Sequence, residues 1–303
     1  VRVAVVGLGG IGGIAAATLA AFGRDVIACA RRPLARLRLE RPEGDVDVPL
    51  RTLVEPAEAA PVDWVLLCTK TYQTASTAPW LARLCAPATR VAVLQNGIDA
   101  VARVAPFAGP ATILPALVYY NAERLAGDGV RIRHGREADI MVADDANGRA
   151  FVELLAGSGL SIHTSDDFTT LSWRKLLLNV TANPITALTL QRQRVLRRDD
   201  VQALCRTLLA EAIAVGAAAG ARFARDEAED AMRHILAYPP EAGTSMYFDR
   251  LAGRRLEADD LTGAVVAAGR TYGIPTPANE TLLTLLRGVD DGAAEKSRPC
   301  SAP

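Results

Sequence analysis

Lysine is almost absent from this chain: of 34 basic residues only Lys70, Lys175 and Lys296 are lysines, and the rest are arginine. Cysteine is sparse too. Its five copies (Cys29, Cys68, Cys85, Cys205, Cys300) are odd in number, widely spaced and without a C-x-x-C pair, which excludes a zinc ribbon or a disulfide framework and suits a reducing compartment. The three histidines, His134, His163 and His234, stand at no nucleophile or metal-ligand spacing. A charge excess is missing, with 34 acidic against 34 basic residues, so the strongly basic balance of a nucleic-acid or anionic-membrane binder is excluded. A long apolar run is missing as well. The longest weakly polar stretch, Ala212 to Ala221, is far short of the ~20 residues of a membrane span. No leader pattern is visible at the start. A soluble cytoplasmic protein is expected, with neither nucleic acid nor membrane as partner.

What is present fills 303 residues, half of them hydrophobic, enough for two domains. Val1 to Val6 is a continuous apolar run, as in a strand buried on both faces. Gly7-Leu8-Gly9-Gly10-Ile11-Gly12 follows, then a small-residue helix pattern to Phe22, stopped by Gly23, and a second strand from Asp25 to Ala30. Strand, G-x-G-x-x-G, helix and strand in that order form the dinucleotide-binding fingerprint. Its glycines permit the tight turn, close approach to pyrophosphate and close helix packing, and the helix N-terminus offers free N–H groups to phosphate. The second strand ends Ala30-Arg31-Arg32, without the acid that binds the ribose hydroxyls of NAD. Two guanidiniums there suit a 2′-phosphate, hence NADPH, unless both are solvated loop residues.

Further strands are expected at Trp64–Thr69, Val91–Gln95, Ile113–Tyr120, Arg131–Arg133, Ile140–Val142 and Leu160–Thr164, with a helix over Thr71–Leu84. Lys70 and Asn96 each end a strand, where ligands bind in open α/β sheets. Lys70 is otherwise a solvated loop lysine, and Asn96-Gly97 is otherwise an ordinary turn pair.

From about Phe168 the pattern becomes helical. Val201, Leu204, Cys205, Leu208, Leu209, Ala212 and Val215 make one apolar face. Further helices are expected at Asp226–Leu236, Glu257–Thr271 and Pro277–Leu286, turn-like residues at Gly243–Arg250, and a disordered polar tail over 290–303. Lys175, Asn179 and Asn183 are spaced by four, so one amine and two amides stack along a helix flanked by Leu176, Leu177, Leu178 and Val180. Asparagine is a poor interior helix residue, and unpaired buried polar groups cost roughly 1–3 kcal/mol each. Either a structural network at a helix end, with Pro184 turning Asn183 out of the helix, or a ligand supplies their partners. Glu257 reads as the cap of a helix start or as a working carboxylate.

With these motifs in order, the chain resembles the ketopantoate reductase family (2-dehydropantoate 2-reductases) from Val1 to about Leu286. The resemblance rests on Gly7 to Gly12, Arg31, Thr69-Lys70, Gln95-Asn96-Gly97, Trp173 to Asn179 with Asn183-Pro184, and Ser245-Met246 with Asp249 and Glu257. It implies an α/β fold: an N-terminal Rossmann-type doubly wound domain (1–167) followed by an all-helical domain (168–303) similar to that of 6-phosphogluconate dehydrogenases, with the active site between them. It further implies that Gly7, Leu8, Gly9, Gly10, Ile11, Gly12 and Arg31 hold NADPH and that Lys70 and Asn96 line the cofactor and substrate cleft. Lys175 would be the general acid, Asn179, Asn183 and Ser245 would hold the substrate, and Glu257 would orient it. The family often carries a further substrate-binding Asn where this chain has Gln193, which leaves the 2-oxo acid open. A related reductase of another 2-oxo or 3-hydroxy acid, or a non-catalytic NADP-binding regulator, are the alternatives. A homodimer is compatible with the sequence.

Overall fold

The computed structural model of the chain describes residues 1–125, 128–135 and 137–296. The chain divides into two compact units, Val1–Phe168 and Thr169–Pro303.

In the first unit β1 (Arg2–Val6), α1 (Gly10–Ala21), β2 (Asp25–Cys29), β3 (Arg36–Glu40), β4 (Val46–Pro49), β5 (Arg51–Leu53), β6 (Trp64–Leu67), α2 (Ala78–Leu84), β7 (Arg90–Val93), α3 (Ala100–Ala108) and β8 (Thr112–Pro115) follow one another. The main sheet is ordered β5-β2-β1-β6-β7-β8, and every pair in it is parallel. This is the Rossmann order, with the switch point between β1 and β6. Alternation along β1 divides its side chains: Val3 and Val5 enter the core shared with α1, and Ala4 and Val6 enter the core shared with α2 and α3. A strand covered on both faces needs an apolar residue at nearly every position, which is why β1 reads as a continuous run.

A second sheet, β10 (Asn121–Leu125), β11 (Gly129–Arg133), β3 and β4 in that order, lies over the other side of α1. Its inner residues Leu37, Leu39, Val48, Val130 and Ile132 are buried. Its outer face carries Arg36–Asp47, Arg38–Asp45 and Arg131–Glu40 ion pairs. Helix α1 is therefore enclosed by two sheets, and Gly12 through Leu19 are all buried. A Cβ on Gly13 would stand 2.7 Å from Val130 Cγ1, so only small residues fit. A third sheet joins β9 (Leu117–Val118), β12 (Ile140–Ala143) and β13 (Ile162–Ser165) beside α4 (Ala146–Leu155).

The second unit is helical: α5 (Phe168–Thr189), α6 (Asp199–Ala218), α7 (Glu227–Leu236), α8 (Ser245–Leu251), α9 (Thr262–Tyr272) and α10 (Pro277–Lys296). Helix α6 is the one described helix whose length and composition would suffice to cross a membrane. It packs as an amphipathic helix instead, with Cys205, Leu208, Leu209, Ala212 and Val215 inward and Arg206 paired to Glu229 outside. Leu204, expected on the apolar face, is 37% exposed.

Several expected boundaries move. Thr71–Thr77 is a 3-10 segment ahead of α2. Gly243–Arg250 is not a turn, because Thr244 caps α8 by accepting the N–H of Tyr247 at 3.1 Å. Helix α5 runs through Pro184 to Thr189, so Asn183 is helical. Glu257 lies five residues ahead of α9 and does not cap it. The polar tail expected from Asp290 is helical as far as Lys296, since its Ala, Glu and Lys residues are strong helix formers and α10 is anchored by buried Leu282, Leu283 and Leu286. The rest of that expected tail lies outside the described residues.

Candidate active site

The three glycines of the fingerprint have different surroundings. Gly7 has φ +97°, and a Cβ there would stand 2.7 Å from Thr69 Cγ2 and 2.9 Å from Thr69 N, where β1 meets β6 at the switch point. Gly12 lies against the turn itself, since its Cβ would fall 2.0 Å from the carbonyl oxygen of Gly7. Gly9, which caps α1, faces open space: a Cβ there would touch nothing within 4 Å. One glycine makes the turn, one brings helix and strand together, and one leaves room for a ligand over the helix N-terminus. The first turn of α1 carries no acidic residue. Leu8 and Ile11 pack on the core, Gly10 lies close against Ala122, and the buried Tyr120 hydroxyl donates to the Ile11 carbonyl at 3.1 Å. The N–H groups of the first turn of α1, with no acid beside them and open space at Gly9, fit a pyrophosphate.

Past the end of β2, Arg31 and Arg32 are both exposed. Arg32 is bound to Asp128. Arg31 forms no ion pair among the described residues. Sequence reading treated the two guanidiniums alike, whereas the structure pairs Arg32 and leaves Arg31 exposed at the end of the loop.

The ends of β6 and β7 are joined by a polar network. Lys70 and Asn96 are both half-buried. Between them the buried Gln95 amide donates to Thr69 Oγ1 at 3.0 Å, to Thr74 Oγ1 at 3.1 Å and to the Lys70 carbonyl at 3.5 Å. Arg103 of α3 donates to Gln95 Oε1 at 3.3 Å and to the Asn96 carbonyl at 3.0 Å, and it is paired with Asp99. The next residue, Gly97, has φ +96°. Sequence reasoning did not single out Arg103; its i,i+4 spacing from Asp99 was the available signal.

In the second unit, Lys175, Asn179 and Asn183 stack along α5, and the Asn183 amide donates to Asn179 Oδ1 at 3.3 Å. Asn183 is buried, and Lys175 and Asn179 are half-buried. Loss of solvation pushes the Lys175 ammonium down to about 8, while the charge of Glu257 acts in the opposite sense. Glu257 is itself buried, so a carboxylate and an amine interact at the Lys175 end of the line. At the other end, Thr186 Oγ1 and Thr244 Oγ1 share a hydrogen bond of 2.7 Å. That bond ties the start of α8, and with it the exposed Ser245, to α5 one turn beyond Asn183. Gln193 comes to the same region, its N–H donating to the Ala242 carbonyl at 2.9 Å. The Gln193 side chain is buried, and its Oε1 has no hydrogen-bond partner among the described residues. Lys175, Asn179 and Asn183 thus share one face of α5, with Glu257 near Lys175 and the start of α8, which carries Ser245, tied to α5 near Asn183. The Thr186–Thr244 link escaped sequence reading because two threonines 58 residues apart carry no local pattern.

The chain is similar to known proteins along nearly its whole length. The profile of the family described as ketopantoate reductase PanE/ApbA matches residues 3–146, and that of its C-terminal domain matches 167–290. A 2-dehydropantoate 2-reductase of Mycobacterium tuberculosis is 39% identical over 292 residues, covering 96% of this chain and 98% of its own. One from Caulobacter vibrioides is 38% identical over 291 residues, covering 95% and 98%. Among solved structures, a PanE/ApbA family ketopantoate reductase from Ralstonia eutropha superposes with a TM-score of 0.88 at 31% identity, covering 97% of this chain and all of that one. A dimeric ketopantoate reductase from Staphylococcus aureus gives 0.86 at 26%, with the same coverage. A D-mandelate dehydrogenase solved with NADH shares the fold at 0.85 and 22% identity, again with 97% and 100% covered. Fold, motif order and full-length likeness together place this chain in the ketopantoate reductase family.

Proposed function

We propose that this chain is an NADPH-dependent oxidoreductase that reduces 2-dehydropantoate to D-pantoate in the cytoplasm, on the route to pantothenate and coenzyme A. The observation that carries the reading is Lys175: a half-buried amine with its proton affinity lowered to about 8, in the field of Glu257 and at the head of the Asn179–Asn183 line.

The bound cofactor supplies a hydride to the ketone carbon. Negative charge then grows on the ketone oxygen, and Lys175 Nζ stabilises it and delivers the proton that completes the alcohol. An amine with a pKa of about 8 is mostly protonated at neutral pH, yet gives up its proton more readily than an ordinary lysine. Arginine offers the charge without the transferable proton. Asn179, Asn183 and Ser245 hold the carboxylate and hydroxyl of the substrate, and Glu257 keeps Lys175 charged and oriented. Gly7 to Gly12 cradle the pyrophosphate, Arg31 reads the 2′-phosphate, and Lys70 and Asn96 position the nicotinamide end and the substrate. A homodimer is the proposed assembly, by likeness to the dimeric S. aureus enzyme.

NADPH oxidation by ketopantoate, run beside pyruvate and 2-oxoisovalerate, tests the reading. Ketopantoate should be preferred by at least an order of magnitude in kcat/KM. A second reading, reduction of another 2-oxo acid, is favoured by the unpartnered Gln193 Oε1, and a different order within the panel would select it.

A further inference from the structure

We propose that Arg103 is a positioning residue that sets both the Asn96 loop and the Lys70 strand end through the orientation of the Gln95 amide. The proposal rests on the function proposed above and extends it to a residue outside the family motifs named here.

Arg103 is a largely but not fully buried cation, with its side chain only 10% exposed. A guanidinium in such a place stays charged and needs acceptors for its rigid fork of donors. Its acceptors include the Asp99 carboxylate, the Asn96 carbonyl and Gln95 Oε1. Asp99 neutralises the charge and is itself half-exposed. The other two acceptors are the informative ones, because both belong to the segment that ends β7.

A side-chain amide can be placed in either of two ways, with oxygen and nitrogen exchanged. Arginine has donors alone, so it accepts Gln95 in one orientation, with Oε1 toward Arg103. Nε2 is then the atom that meets Thr69 Oγ1 at 3.0 Å, while Thr74 Oγ1 lies beside both amide atoms, 3.1 Å from Nε2 and 3.3 Å from Oε1. The same group therefore fixes the Asn96 backbone directly and the Thr69–Lys70 end through Gln95. These two strand ends carry Lys70 and Asn96. Lysine at position 103 would satisfy the charge of Asp99 but could not hold Gln95 and the Asn96 carbonyl together in one planar fork.

A double-mutant cycle tests this, run with Arg103→Lys, Asn96→Ala and the double variant on whichever 2-oxo acid the wild-type enzyme reduces. A substrate other than ketopantoate would then refute the proposed function and still leave the cycle readable. Arg103→Met removes all the donors, and Arg103→Lys serves where the methionine variant fails to fold. The expected result is a melting temperature for Arg103→Lys close to wild type with kcat/KM reduced about tenfold or more, and a double variant whose loss falls well short of the product of the two single losses. Wild-type kcat/KM in Arg103→Lys would overturn the proposal. So would losses from Arg103→Lys and Asn96→Ala that multiply in the double variant, since Arg103 would then not act through Asn96.

Discussion

Lys175 brings two demands into conflict. Its burial lowers the pKa from 10.5 to about 8, which favours proton transfer and opposes stability. The folded pKa lies below the unfolded one, so the folded state binds fewer protons between pH 8 and 10.5. Stability therefore rises with pH across that window, and the unfavourable contribution is fully present below about pH 8. Lys175→Met should raise thermal stability at pH 7 by about 1–3 kcal/mol, less the loss to Glu257 of its partner, and the gain should fade toward pH 10. The same substitution should lower kcat about 10²-fold or more. In the wild type, kcat/KM for reduction should be level below pH 8 and then fall as the ammonium deprotonates. A rate that keeps rising through pH 9 would remove Lys175 as the acid. Gln193 poses a question of specificity rather than chemistry. Its buried Oε1 lacks a partner among the described residues, and a site with an unsatisfied acceptor rewards a substrate hydroxyl. Gln193→Asn shortens the reach and should raise KM for the preferred keto acid several-fold with little change in the NADPH dissociation constant. Steady-state kinetics across the keto-acid panel would show an unchanged preference if Gln193 is remote from substrate.

Elements were legible where the chain repeats a pattern and illegible where a distant contact decides. The strand and glycine turn of Val1–Gly12 could be read because burial on both faces leaves its mark in consecutive residues. Lys175, Asn179 and Asn183 could be read because a helix face is a fixed spacing. The segment Arg36–Leu53 gave no clear reading, since half of each strand is charge for a surface ion-pair lattice and only the hidden half meets α1. Glu257 was assigned to a helix start, yet it sits in an irregular stretch before α9. That stretch is held by two carboxylates that sequence spacing does not connect. Arg254 Nε donates to the buried Asp249 at 2.8 Å, and the Leu256 N–H donates to Asp290 of α10 at 2.9 Å. The part of α10 expected to be a tail thus anchors the residue next to Glu257. Asp290→Ala strands that N–H and should cost about 1–3 kcal/mol of stability. It should also lower kcat several-fold with the NADPH dissociation constant unchanged. Thermal melts and ligand titration would check both, and an unaltered kcat would mean that the Leu256 bond does not matter to Glu257.

At the scale of the molecule, the work divides by unit. Each group proposed to hold NADPH lies within Val1–Phe168, and each group proposed to move the proton lies within Thr169–Pro303. Arg31 follows the end of β2 in the first unit, and Lys175 lies on α5 in the second. Substitutions without shared partners add in free energy to within a few tenths of a kcal/mol. Arg31→Ala should therefore weaken NADPH about tenfold or more, weaken NADH far less, and leave kcat at saturating cofactor near wild type. Lys175→Ala should do the reverse, with kcat down and NADPH affinity within about twofold of wild type. The double variant should show the product of the two losses in kcat/KM for NADPH. Coupling of an order of magnitude between them, measured by calorimetric titration and steady-state rates on all four proteins, would mean that cofactor and proton donor share a conformational state. The same experiment also decides the cofactor, because equal losses of NADPH and NADH in Arg31→Ala would show that its guanidinium does not read the 2′-phosphate.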